Sequence, residues 1–302
     1  MDSVYFSVVT SAYDAEPFIK RAVGSVLQQT YKNYEYVIVD NGSHDSTLDI
    51  IRKYETDNPE KIKVYHVDDN LGISGGRNYG IQKAIGDYVC FLDADDYWEK
   101  NKLDVVEKQI LKHSECSIFC HWEYHETESD KKVVEYRQPK EKNQYEDMLF
   151  NGNCLSTSAL AIERNSLNNV NGFDMNLCMG EEDYDLWLRL IKNGGRVHMI
   201  QEPLGHWVIR NDSMSSKVIK HTTAVAELVK RHGDELLKES SSDRKLERKI
   251  NKAVSGCYCS AGRLLSKTDQ CKEAKIFYIK SIKEYPLYYK SYAGLVLNML
   301  HL

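Results

Sequence analysis

VCFLDADDYW, residues 89–98, decides how the chain is read, because an apolar run passes directly into three aspartates, Asp93, Asp95 and Asp96. Unpaired charge beside a buried strand is costly. Something must offset that cost, and two sources are open. Carboxylate oxygens are the ligands hard divalent cations prefer, and the Asp93-Ala94-Asp95 spacing at a strand end can aim two of them at one ion. The other source is a solvated turn in which Asp93 or Asp96 caps a helix beginning near Glu99.

Upstream of this stretch, strand and helix patterns alternate with short connections. Residues 4–9, 34–40, 62–67 and 87–93 are runs of strand length. Between them, Ile19, Ala22, Val23, Val26 and Leu27 recur at helical spacing after Pro17. Ser46 and Asp49 form a capping-box pattern before Leu48, Ile51 and Tyr54. A further helix is expected from about Ser74 to Ile85, with Gly86 as its C-cap. Several strands are continuously apolar, which argues for an α/β fold whose mostly parallel sheet is covered on both faces. Ligands of such sheets bind outside the carboxyl ends of the strands. Two strands end in an aspartate, Asp40 and Asp93, and both therefore belong to the functional edge.

Downstream, a helix is expected near 99–113 and a hairpin from strands at 117–125 and 132–137. A helix at 182–193 stacks Leu186, Trp187, Leu190 and Ile191 on one face and closes at Gly194 or Gly195, before a strand at 196–200. From about residue 218 the chain reads as helical. Segments 249–266 and 270–284 form a helix pair that resembles a tetratricopeptide unit, and Pro286 opens another helix. One unit is too few for a solenoid, so a helical cap packing on the main domain or on another subunit is the expectation. The division is a main domain at 1–217 and a helical region at 218–302.

The chain has 302 residues, 42% hydrophobic and 28% charged, with a net charge of −5. That is a globular composition without the basic footprint of a nucleic-acid binder. No stretch matches a secretory signal or a spanning helix, so a cytoplasmic protein is expected, with peripheral membrane contact left open. Eight cysteines without a C-x-x-C pair suit reduced thiols. Cys116, Cys120 and His121 could ligate a metal, but they alternate as a strand does and are expected to pack as one.

Two further features carry chemistry. In NLGISGGRNYG, residues 70–80, the glycines and Ser74 precede a helix start and suit close approach of backbone N–H groups to an anion. Arg77, placed in the first helical turn, needs an anion or a carboxylate to compensate it. Glu182 and Asp183 at the start of the 182–193 helix are explained by the helix dipole alone.

Taken in order, SVVTSAYDAE, VIVDNGSHDST, NLGISGGRNYGIQKAIGDYVCFLDADD, GEEDYDLWLRL and NDSMS resemble the family 2 glycosyltransferases over about residues 4–216. That resemblance implies the GT-A fold, a Rossmann-like sheet flanked by helices, here with an all-helical C-terminal extension. It implies that the loop Ser11–Glu16, including Ala12, Tyr13 and Glu16, wraps a nucleoside and that Asp40 accepts a hydrogen bond from the base. An ionised carboxylate can only accept, which suits uracil, thymine or guanine and not N3 of cytosine. Uridine is the family's commonest choice. The resemblance places Arg77 near the diphosphate, and Asp93, Ala94 and Asp95 at the ribose and a Mn²⁺ or Mg²⁺ ion, with Asp95 and Asp93 as metal ligands. It makes Asp183 the general base, with Glu181 as a competing neighbour.

The implied activity is metal-dependent, inverting transfer of a hexosyl or N-acetylhexosaminyl group from a UDP-sugar to a glycan or lipid-linked glycan in surface polysaccharide synthesis. Two alternatives remain: a non-catalytic scaffold acting through the helical tail, which could also mediate homo-oligomers, or a D-x-D phosphotransferase. The chain departs from the family pattern at Ser11 (usually proline), Asp14 (usually asparagine), Val208 (often arginine) and Arg210 (often histidine). His206 is a candidate to replace that histidine.

Overall fold

The computed structural model describes residues 3–209, 218–239, 243–268 and 270–300. Arg210 and the NDSMS stretch at 211–215 lie outside the described residues. The chain divides into two units. One is Met1–Gln144, Cys154–Cys178 and Glu182–Arg210; the other is Tyr145–Asn153, Met179–Glu181 and Asn211–Leu302.

The first unit is built on one sheet. Strands β1 (Phe6–Ala12), β2 (Tyr34–Asn41), β3 (Ile62–Val67) and β4 (Tyr88–Phe91) alternate with helices α1 (Ile19–Leu27), α2 (Thr47–Asp57) and α3 (Gly72–Lys83). They pair in parallel in the order β3-β2-β1-β4. All eight residues of β2 are buried, which is why it reads as a near-continuous apolar run ending in an acid. Then come β5 (Tyr97–Trp98), α4 (Lys102–Lys112), β6 (Ile118–Glu126), β7 (Lys131–Val134), α5 (Gln144–Asn151), β8 (Leu160–Glu163), α6 (Arg164–Asn169), α7 (Glu182–Lys192) and β9 (Val197–Val208). β8 runs antiparallel to β4, and the sheet continues β6-β9-β5, with β6 and β7 forming the expected hairpin. The fold is therefore mixed α/β, and its parallel half carries Asp40 and Asp93 at the same edge.

Local details differ from the sequence reading in four places. Helix α3 begins at Gly72, so Arg77 lies in its second turn. The N–H groups of Leu71 and Gly72 already donate to the side chains of Asn41 and Asn70, so this helix start is capped from within the protein. Gly76 and Gly80 serve packing: a Cβ at Gly76 would collide with the Ser11 side chain, and one at Gly80 with Val9. Gly86 is not a left-handed C-cap; a Cβ there would lie 2.6 Å from the backbone nitrogen of Ser7 on β1. Ser46 makes no side-chain cap, and its own N–H donates to Glu16 instead. The end of α7 follows expectation, since Gly194 sits at φ +93° and Gly195 N–H returns to Leu190 O, the Schellman geometry.

The second unit contains most of α5 with α8 (Val218–Glu239), α9 (Arg244–Lys267), α10 (Cys271–Glu284) and α11 (Tyr289–Met299). Tyr145 of α5 meets His232 of α8 at 3.0 Å, and Lys249 of α9 meets Glu146 at 2.9 Å. Helices α9 and α10 are the expected pair. Ser255, Ser281 and Ser291 link α9, α10 and α11 through buried hydroxyls, and Gly262 and Gly294 let both flanking helices close on the Tyr278 ring.

Candidate active site

Asp40 ends β2 beside Ala12 of β1 and His66 of β3 in register, and it is fully buried. Its Oδ2 lies 2.8 Å from His66 Nδ1 and accepts a longer bond from Ser43 N–H at 3.4 Å. Its Oδ1 is buried without a hydrogen-bond partner among the described residues. An unmet buried acceptor costs about 1–3 kcal/mol, so a fold that retains one has a use for it.

The loop after β1 is tied to the loop after β2. Asp14 holds φ +45°, a left-handed conformation that asparagine and aspartate tolerate best, which accounts for either residue at this position. Its carboxylate accepts from His44 N–H at 2.7 Å, and its own N–H donates to Ser43. Glu16 N–H donates to Asp45, and Tyr13 stands exposed with its ring edge-on to His44.

At the end of β4 the aspartates take different roles. Asp93 Oδ1 receives Arg77 Nη2 at 2.7 Å, and its backbone N–H donates to Ser158 Oγ. Ser158 then donates to Asp96 Oδ2 at 2.6 Å, while Asp96 Oδ1 accepts from Val208 N–H at 2.9 Å. Asp96 is buried, and burial together with Asp93, Asp95 and Glu123 pushes its carboxyl well above the ordinary range. Both its oxygens are committed, to Ser158 in the turn before β8 and to Val208 on β9, so it is a structural acid. Ala94 and Asp95 remain partly exposed at the edge, and the Asp95 carbonyl accepts from Arg21, whose guanidinium stacks on Tyr97.

Arg77 reaches in two directions. Besides Asp93 it contacts Glu182 Oε1 at 3.3 Å, at the first residue of α7, and it lies over the Phe173 ring. Burial alone would make this guanidinium easier to neutralise, but Asp93 and Glu182 outweigh it and raise its pKa. Beside Glu182, Asp183 is half-buried and accepts from Thr157 Oγ1 at 3.5 Å and from Tyr184 N–H. Burial first and the Glu182 charge second push its carboxyl up to about 7. A carboxylate of that basicity at a helix N-terminus is suited to general-base work near neutral pH. Glu181 points elsewhere, accepting from Met179 N–H.

Asp93, Arg77 and Asp183 are thus brought into one constellation, while Asp40 lies further along the same edge. His206 is not available as a ligand. Its Nε2 faces Glu99 at 2.9 Å, its Nδ1 faces Glu126 at 3.1 Å, and its ring is stacked on Tyr97. Among the described residues, no three His, Cys, Asp or Glu side chains converge as a ready-made metal cage, at Cys116, Cys120 and His121 or elsewhere. Sequence reasoning missed Thr157, Ser158 and His66. The first two sit in a loop before β8 with no periodic signal, whereas His66 was findable by aligning the ends of adjacent strands.

Residues 7–169 match the model of glycosyl transferase family 2. The chain belongs to that family. As a family 2 glycosyltransferase it is 32% identical over 210 residues to TuaG of Bacillus subtilis, named for teichuronic acid biosynthesis, a match covering 70% of this chain and 81% of that one. It is 33% identical over 189 residues to the Escherichia coli enzyme WfaP, named as a UDP-Glc:α-D-GlcNAc-diphosphoundecaprenol β-1,3-glucosyltransferase, covering 62% and 70%. The fold matches crystal structures of S. aureus TarS at 19% identity. For TarS itself the TM-score is 0.66, over 98% of this chain and 52% of that one, so this chain spans about half of the TarS chain. For the TarS 1–349 complex with UDP-GlcNAc it is 0.60, over 93% and 89%. These likenesses show a GT-A type fold and support a glycosyltransferase.

Proposed function

We propose that this family 2 glycosyltransferase transfers a hexose or N-acetylhexosamine from a UDP-sugar to a hydroxyl of a lipid-linked glycan, with inversion, in surface polysaccharide synthesis. The observation that carries the proposal is the buried Arg77 guanidinium, in contact with Asp93 at the strand end and with Glu182 next to Asp183. One cation thereby joins a donor side to a base side.

In this reading the nucleoside lies against Ala12, Tyr13 and Glu16, and the base donates to Asp40. The diphosphate lies near Arg77, Asp93 and Ala94. The acceptor oxygen attacks the anomeric carbon as the bond from that carbon to the diphosphate breaks, and the electron pair leaves with UDP. Asp183 takes the hydroxyl proton. A single displacement inverts the configuration.

The residues fit a divalent ion of the Mg²⁺ or Mn²⁺ kind, which uses one or two carboxylates and completes its shell with substrate phosphates and water rather than a protein cage. Asp95 and Asp93 would hold it, and Asp93 would share its carboxylate with Arg77. Such an ion stabilises the charge that develops on the leaving diphosphate. UDP is favoured over other nucleotides because WfaP is named for UDP-Glc and TarS was crystallised with UDP-GlcNAc. WfaP's named acceptor suggests a diphospholipid-linked sugar. No described helix is long and apolar enough to cross a membrane. WfaP's lipid-linked acceptor supports a peripheral place at the cytoplasmic face, with residues 1–217 as catalytic domain and 218–302 as helical extension.

The test is nucleotide release by the purified full chain with Mn²⁺, a GlcNAc-diphospholipid acceptor, and a panel of UDP-, GDP- and dTDP-sugars. UDP release that requires both acceptor and Asp95 supports the reading. Turnover confined to GDP- or dTDP-sugars contradicts it.

A further inference from the structure

His66 carries an inference that rests on the reading of Asp40 as the base acceptor. The two residues are register partners on adjacent parallel strands, so their side chains leave the same face of the sheet side by side. The Nδ1–Oδ2 distance of 2.8 Å requires a proton on Nδ1 whenever Asp40 is ionised, because a carboxylate can only accept. The other ring nitrogen faces the exposed Asp68 at 3.5 Å, and the His66 side chain is 33% exposed. Oδ2 thus has two donors, His66 and Ser43 N–H, and Oδ1 has none among the described residues. The carboxylate is asymmetric: one oxygen is fixed by the protein, and the other is buried with its capacity unmet.

We propose that His66 is a positioning residue for nucleobase selection. Its Nδ1–H fixes the Asp40 carboxylate so that Oδ1 serves as an acceptor-only contact, which selects bases offering a ring N–H and rejects cytosine. Without that donor the carboxylate is free to rotate, and Oδ1 is no longer held as the base contact.

The experiment measures UDP and CDP affinity by calorimetry for the full chain and for His66→Phe, His66→Asn and Asp40→Asn, with thermal melts to establish folding. His66→Phe keeps the ring but not the donor; it is expected to weaken UDP by about tenfold and to narrow the UDP/CDP ratio. His66→Asn, whose amide can donate from nearly the same place, is expected to restore both. Asp40→Asn is expected to lose UDP and gain CDP. If Asp40→Asn weakens UDP while His66→Phe leaves affinity and ratio unchanged, the role of His66 is overturned and the reading of Asp40 stands. If His66→Phe and His66→Asn are equally impaired with the ratio unchanged, His66 is packing only and the proposal fails. If Asp40→Asn binds UDP like the wild type, the reading of Asp40 itself fails.

Discussion

Arg77 Nη1 lies 3.3 Å from Glu182 Oε1, a contact that joins α3 to the start of α7 across 105 residues of sequence. With Asp93 on the other side of the guanidinium, the site is held together by a buried cation whose two carboxylates come from separate elements.

Removing that cation leaves two carboxylates without a partner. Arg77→Met is expected to destabilise the chain by about 3 kcal/mol, at the lower end for a broken buried pair because Asp93 is 38% exposed and partly solvated. Arg77→Lys is not expected to recover it, since a point charge cannot serve two carboxylates as the planar guanidinium does. Denaturant melts of the three proteins check both statements.

Asp183 has its pKa raised to about 7, so the free enzyme carries the base in its active form only above that pH. Transfer measured as kcat/KM is expected to fall about tenfold per unit below pH 7 and to level off above it. Glu182→Gln removes the neighbouring charge and should move this limb to lower pH. The stability effect runs the opposite way: ionisation is easier in the unfolded chain, so Asp183 favours the folded state fully below its ordinary value of 3.8, and this is lost as pH rises through about 7. Asp183→Asn should therefore melt higher than wild type at pH 8, with the difference shrinking towards pH 5.

Asp95→Ala is expected to abolish the part of UDP affinity that depends on Mn²⁺ and to leave the metal-free part nearly unchanged. Titrations of UDP with Mn²⁺ and with a chelator separate the two.

His206 is tied to Glu99 and Glu126 and stacked on Tyr97. His206→Ala should cost about 2 kcal/mol of stability. Its Mn²⁺-dependent UDP affinity should stay close to wild type, whereas a metal ligand at this position would lose it.

The strand ends were legible in the sequence because an acid that closes an apolar run can only sit at a sheet edge, which located Asp40 and Asp93. What was hidden is what neighbouring segments do. Glycine serves close approach to a ligand and close approach to a sheet equally well, so Gly76, near the expected helix start, read as part of an anion loop until Ser11 was seen beneath it. The start of α3 was placed late because its caps, Asn41 at the end of β2 and Asn70 in the loop after β3, act from outside the helix itself. Asp96 read as a helix cap in a solvated turn, since its partners Ser158 and Val208 come 62 and 112 residues later. His66 carried no signal until the ends of β2 and β3 were set side by side, where it is the register partner of Asp40. Asp183 was assigned by resemblance alone, and the burial that raises its pKa is visible only in the folded chain.

The most direct measurement is single-turnover sugar transfer by Asp183→Asn alongside its donor affinity. The account predicts that transfer is abolished while UDP-sugar binds within about tenfold of wild type. Transfer at the wild-type rate, or a loss of donor affinity large enough to explain the loss of transfer, would contradict Asp183 as the base.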